Sequence, residues 1–267
     1  MKIAKFILIW YCILSWSLSA QSVMNQYEAG LRLLDEGKSV EASKIFSQII
    51  TDKPYYYDAY VGRARCFAKE GKEKEALADF SKALEIKSNW YEALYYRGQM
   101  HSSAGRHRQA LSDYDASLRS RQGWIPALQA KGNTLWELGR KEEALKALDE
   151  AIALAAERKV LSLYIERSRM RAGISKAQGA VDDLTIAIAL PGAHDSLLLL
   201  RAELFLPLGD TLEALKDYDR YLGRNPGAKA ARMRRALLNT SRGEYTLALG
   251  DLSRLIQDDK VTNDVRL

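Results

Sequence analysis

Residues 75–84 read EALADFSKAL, and near-copies return as QALSDYDASL at 109–118, EALKALDEAI at 143–152 and EALKDYDRYL at 213–222. A small Ala stands second in each copy and a ring or Leu stands sixth. A chain that writes the same ten residues again and again is building the same contact each time, so the period comes before any local reading.

Aligned on the recurrent Ala, the units fall at Ala42, Ala76, Ala110, Ala144, Ala180, Ala214 and Ala248, in steps of 34 except for one of 36. Gly37, Gly71, Gly105, Gly139, Gly209 and Gly243 stand five residues before it, and only the fifth unit departs, with Ser175. Four residues after the Ala come Phe46, Phe80, Tyr114, Leu148, Leu184, Tyr218 and Leu252. Twelve before it come Gly30, Ala64, Gly98, Gly132, Ser168, Ala202 and Ala236, all small.

Each feature has a physical reason. On either side of the Gly, apolar residues recur at three and four, the period of an amphipathic helix. The Gly ends a first helix by taking a positive φ. The small residue of the first helix and the Ala of the second allow two helices to cross closely. The ring or Leu four residues after the Ala shares its helix face and fills the gap to the next unit. Pro54 and Pro226 close the second helices of their units, because proline cannot continue a helix. In the fifth unit, Ser175 in the Gly place predicts an irregular turn. Pro207 predicts a shortened first helix in the sixth.

The pattern resembles the tetratricopeptide repeat, in units 23–56, 57–90, 91–124, 125–158, 161–194, 195–228 and 229–262. The resemblance implies an all-α fold, a right-handed α-solenoid of stacked antiparallel helix hairpins over residues 21–262, with 263–267 as a short tail. Single hairpins of this kind cannot bury their own cores, and stacking supplies the burial.

The 267 residues are 47% apolar and 28% charged, ordinary for a globular chain. The N-terminus, MKIAKFILIWYCILSWSLSA, reads as a signal peptide over 1–20: two lysines, an apolar run from Phe6 to Leu14, then small residues. Ser17 and Ser19 suit a cut after 19, and Ala20 suits a cut after 20. The apolar run is shorter than the ~20 residues that span a bilayer. The expectation is therefore an exported protein, periplasmic or secreted, without a membrane span after cleavage; the alternative is tethering by an uncleaved segment. Cys12 lies in that segment and leaves Cys66 as the single mature thiol. The formal charge of +6 becomes +4 once Lys2 and Lys5 are removed. With no clustered basic tract, nucleic acid is not an expected partner.

Basic residues occupy the seventh place in six units: Arg63, Arg97, Lys131, Arg167, Arg201 and Arg235. Sixteen residues later stand Asp79, Asp113, Asp183, Asp217 and Asp251, while Lys131 meets Ala147 instead. The spacing predicts an ion pair across each hairpin, Arg97 to Asp113 among them. The competing reading is a row of arginines that grips an acidic ligand.

The resemblance also implies that the second, fifth, ninth and twelfth places of the first helices face a concave groove. The residues it nominates for a peptide or protein partner are Arg65, Tyr95, Gln99, Gln129, Asn133, Trp136 and Arg169. Their amides suit an extended backbone and their rings suit apolar side chains. The Lys and Asn set with which some relatives clamp a C-terminal carboxylate is not matched, because no fifth place carries Lys and Asn133 is the only ninth-place Asn. A second aromatic group, Tyr56, Trp90 and Trp124 with their neighbours, reads as packing at unit joints or as a ladder for a peptide or glycan.

Catalysis finds no foothold in the sequence. His101 and His107 are six apart, unlike a metal-binding i, i+4 pair. No phosphate loop, nucleophile elbow or zinc motif is present, so no cofactor and no metal are expected. The leading expectation is a non-catalytic interaction scaffold of the cell envelope. The alternatives are an accessory protein of polysaccharide assembly or export and a regulatory subunit of a separate enzyme. Leu249, Leu252 and Ile256 in the last unit predict an apolar edge open to self-association or to a partner.

Overall fold

The computed structural model describes residues 21–155, 158 and 160–264. The signal-like segment, with Cys12 and both cut sites, lies outside the described residues. Fourteen α-helices occupy the described chain, with no strand among the described residues. They are α1 (21–35), α2 (Ser39–Asp52), α3 (Tyr57–Lys69), α4 (Glu73–Ile86), α5 (Tyr91–Ser103), α6 (His107–Ser120) and α7 (Ile125–Glu137), then α8 (Lys141–Ala155), α9 (Leu161–Ala172), α10 (Ala177–Ile188), α11 (Ser196–Phe205), α12 (Thr211–Arg224), α13 (Lys229–Ser241) and α14 (Tyr245–Asp264).

The chain forms two compact units that divide after Arg140, inside the fourth repeat. In the first unit each helix from α2 to α7 packs on the next, and α3 also touches α5 as α5 touches α7. In the second, each helix from α8 to α14 packs on the next. No helix among the described residues is long and apolar enough to cross a membrane.

Small residues make these contacts. A Cβ on Gly98 would lie 2.7 Å from the Tyr114 ring. The Phe46 ring is held between Gly30 of its own hairpin and Gly62 of the next, where added Cβ atoms would approach to 2.8 and 2.6 Å. The ring four residues after the Ala, rather than the Ala itself, therefore occupies the space that these glycines leave. In the fifth repeat Ser168 fills the small place, and its hydroxyl donates to the Ala180 carbonyl at 3.0 Å. Phe46, Phe80, Tyr114 and Tyr218 are all fully buried.

The turns repeat as closely. Gly71 takes φ +74°, its N–H donates to the Ala68 carbonyl at 3.2 Å, and the Lys72 N–H reaches back to Phe67 at 2.9 Å. This is a left-handed helix ending that satisfies two last-turn carbonyls. The irregular turn expected at Ser175 is not found. Ser175 adopts φ +60°, and the N–H groups of Ser175 and Lys176 donate to Ala172 and Arg171 at 3.1 and 2.9 Å. The geometry of the joint imposes the left-handed conformation on a residue that pays for it with a Cβ close to its own carbonyl. Pro207 does shorten the sixth repeat's first helix: α11 stops at Phe205 and a 3-10 turn, Leu206–Leu208, completes it. The last helix runs to Asp264, two residues past the expected end of the repeats at 262.

Candidate binding face

The basic ladder is a structural element. Arg63 grips Asp79 with two bonds of 2.7 and 2.8 Å, Arg97 grips Asp113 at 2.9 and 2.6 Å, and Arg201 grips Asp217 at 2.8 and 2.7 Å. Arg167 with Asp183 and Arg235 with Asp251 repeat the fork. All five aspartates are buried. Four of these arginines also reach backwards to the preceding repeat. Arg63 donates to the Ser47 hydroxyl at 3.2 Å, Arg201 to the Thr185 hydroxyl at 2.9 Å, Arg167 to Asp149 at 2.6 Å and Arg235 to Asp219 at 2.7 Å. Lys131 keeps this second contact, to Asp115 at 2.7 Å. In the fifth repeat Arg171 joins as well: it lies on Gly179, whose missing side chain admits it, and donates to Asp183 at 3.0 Å. Charges committed in this way are not arranged to receive an acidic ligand.

The contacts of α3 with α5 and of α5 with α7 make the first helices of neighbouring repeats adjacent. Along this face Gln99 and Asn133 are exposed, while Arg65, Tyr95, Gln129 and Trp136 are half-buried. The Gln99 amide donates to the Tyr95 hydroxyl at 2.9 Å. The Arg65 guanidinium lies 4.8 Å above the Tyr96 ring. Arg169 is exposed on α9 in the second unit. The fifth and ninth places of that unit's last repeat are apolar and open, Met233 at 43% and Leu237 at 55% exposed.

Tyr95 is less available than its place suggests. Its ring packs edge-on to Trp124 at 4.7 Å and contacts Tyr96 and Tyr114 at 5.1 and 6.0 Å. The second aromatic group belongs to the same packing. Tyr57 meets Trp90 at 5.2 Å, Trp90 meets Tyr91 at 5.0 Å and Tyr91 meets Trp124 at 4.7 Å. Lys87 lies over Tyr57 and Trp90, and Arg121 over Tyr91 and Trp124. These rings fill the joints between repeats and interlock with tilted, edge-to-face geometry.

The sequence reading passed over two residues on this face, Asp58 and Glu92, at the second places of α3 and α5. Asp58 makes no hydrogen bond or ion pair with the described residues, and Glu92 accepts one bond, from the Tyr91 hydroxyl at 3.0 Å. Burial, and then repulsion from Glu92, push the Asp58 carboxyl up to about 6, with Lys87 opposing. Tyr27 of α1 shares this environment. Burial raises its pKa first, then Asp58 and Glu92, while Arg65 acts the other way. The signal for these two residues was their register, since the second place was already counted as facing inward.

The model of the tetratricopeptide repeat matches residues 27–90 and 199–260, and a second model of the same repeat matches 125–158. No curated protein sequence matches the chain. Among solved structures, PilF of Pseudomonas aeruginosa is 18% identical with a TM-score of 0.68, covering 78% of this chain and 94% of its own. A tetratricopeptide repeat protein from Parabacteroides merdae is 18% identical with a TM-score of 0.59, covering 89% and 93%. YrrB, described as a TPR protein with an unusual peptide-binding site, is 18% identical with a TM-score of 0.59, covering 70% and 95%.

Proposed function

Because the chain belongs to the tetratricopeptide-repeat family, we propose that it is a non-catalytic interaction scaffold holding an extended segment of a protein partner along α3, α5 and α7. One observation carries the reading: exposed amides on Gln99 and Asn133 occupy the same place of the first helices of neighbouring repeats, α5 and α7, which touch, and the half-buried Trp136 lies one turn further along α7. Such amides hydrogen-bond a peptide backbone in both senses. YrrB, similar in fold, is described as having a peptide-binding site. The reading includes export to the cell envelope, on the strength of the N-terminal twenty residues, and fractionation of cells producing the full chain tests it.

The test of the groove is capture by the full chain of partners from extracts of cells that produce it. Gln99→Ala with Asn133→Ala weakens capture and leaves helicity unchanged; unchanged capture by this double variant removes the groove from the account. A glycan ladder gains no support, because the rings that would stack on sugars pack on one another and beneath Lys87 and Arg121.

A second contact is proposed for α14, where Leu249 is 62% and Ile256 is 59% exposed. Self-association through this edge makes sedimentation depend on concentration, and a monomer at every concentration contradicts it.

A further inference from the structure

We infer that the open face of α14 pairs with the same face of a second copy, antiparallel and about a two-fold axis, so that assembly closes at two chains. The inference deepens the self-association reading and rests on it.

The face continues an interface that the chain already makes. The second helix of one repeat is covered by the first helix of the next. Tyr218 and Leu222 of α12 share one apolar cluster with Ala231 and Leu238 of α13, and Leu222 is 6% exposed. One period on, Ile256 holds the place of Leu222 on α14 and is 59% exposed. Leu249, one period after the half-buried Leu215, is exposed as well. At neither place is any residue of the six earlier repeats exposed. These side chains are spaced for a covering helix, and α14 has none among the described residues.

The first repeat does not offer the match. First helices meet the repeat before them through small or apolar residues in their third and tenth places, as Ala59 and Cys66 do on α3 and Ala93 and Met100 on α5. On α1 these places hold Asn25 and Arg32, both exposed, with the exposed Glu28 between them. Stacking α1 of a second copy on α14 buries these polar and charged groups against Leu249 and Ile256 without partners, which is costly. Head-to-tail contact of that kind also repeats without closing unless its rotation makes a ring.

The stripe on α14 fits itself. Tyr245, Leu249, Leu252 and Ile256 follow one another at spacings of four, three and four, the period of a helix–helix seam. Leu252 is half-buried and the other three are exposed. The spacing reads the same from either end. An antiparallel copy therefore sets Tyr245 against Ile256 and Leu249 against Leu252, and each contact occurs twice, as an isologous interface requires. Withdrawal of these apolar side chains from water drives the pairing.

The experiment uses the full chain with Cys12→Ser, leaving the buried Cys66 in place. The mass read by equilibrium sedimentation is expected to rise with concentration to that of two chains and to stop there. Under mild oxidation, a mixture of Tyr245→Cys and Ile256→Cys chains forms disulfide-linked pairs. Neither variant forms them alone, because in the antiparallel pair equal positions lie about 16 Å apart along the helix, beyond disulfide reach. Ile256→Glu weakens the dimer at least about tenfold, since it places a charge in the seam, and circular dichroism shows unchanged helicity. Arg32→Ala leaves association as it was. Growth beyond two chains, no disulfide in the mixture, or a disulfide from either variant alone overturns this inference and leaves the self-association reading standing. A monomer at every concentration, or a dimer indifferent to Ile256→Glu, overturns both.

Discussion

Arg167 bonds carboxylates of two different repeats, Asp183 on its own hairpin and Asp149 on the one before. The same double grip recurs at Arg63, Arg201 and Arg235, with Ser47, Thr185 and Asp219 as the backward acceptors. One side chain thus closes a hairpin and fixes its register on its neighbour. In a repeat protein stability is roughly the sum of such hairpin and joint contributions.

The two halves of the grip differ in worth. The Asp183 side chain is 1% exposed, whereas that of Asp149 is 53% exposed. Asp183→Ala leaves two arginines facing a buried vacancy and is expected to cost about 3–5 kcal/mol. Asp149→Ala is expected to cost less than about 1 kcal/mol. Urea denaturation followed by circular dichroism checks both values, and equal effects contradict the assignment.

Ser175→Gly is expected to stabilise the chain by about 1 kcal/mol, because glycine occupies φ +60° without a Cβ clash. Gly105→Ala, at φ +71° in the equivalent turn, shifts the midpoint the opposite way. Both are read as urea midpoints against the native chain.

Thr134 is 1% exposed, and its hydroxyl has no hydrogen-bond partner among the described residues. Thr134→Val removes this buried polar atom at nearly constant shape. A gain of up to about 1 kcal/mol follows. A loss of similar size shows that the hydroxyl is satisfied in solution.

Stability responds to pH through His101. Arg106 donates its Nε–H to His101 Nδ1 at 3.0 Å. Burial depresses the imidazole below its ordinary 6.5, aided by Arg106 and Arg97 and opposed by Asp113. A depressed histidine gives stability that is fully present above 6.5 and is lost as pH falls through the folded value. Asp58, raised to about 6, acts oppositely, because protonation favours its folded state. The informative quantity is the difference in stability between the native chain and His101→Leu, which is expected to fall between pH 7.5 and 5. A difference that stays constant across that range contradicts the role of His101.

The hairpins were legible because close packing permits few side chains where helices cross. Gly30, Gly98, Phe46 and Tyr114 each stand where the repeat requires them. The forward rungs were legible too, since sixteen residues separate Arg97 from Asp113. The backward rungs carry an equally regular signal: Ser47, Asp115, Thr185 and Asp219 stand sixteen residues before their partners, and Asp149 eighteen before across the two-residue insertion. Ser175 was misjudged because identity is a poor guide where neighbours impose the backbone. Asp58 and Glu92 were legible in register but not in consequence. Nothing in their spacing reveals that they sit half-buried without a cation, and Tyr95 likewise shows its packing role only beside Trp124 and Tyr114.

The central claim is that the exposed places of α3, α5 and α7 form the contact surface. Photocrosslinking from single sites in the first unit tests it most directly, with a photoreactive residue at Gln99 on α5 or at Arg119 on α6, both exposed. The account predicts partner adducts from position 99 and none from position 119. Adducts from 119 with none from 99 would contradict it.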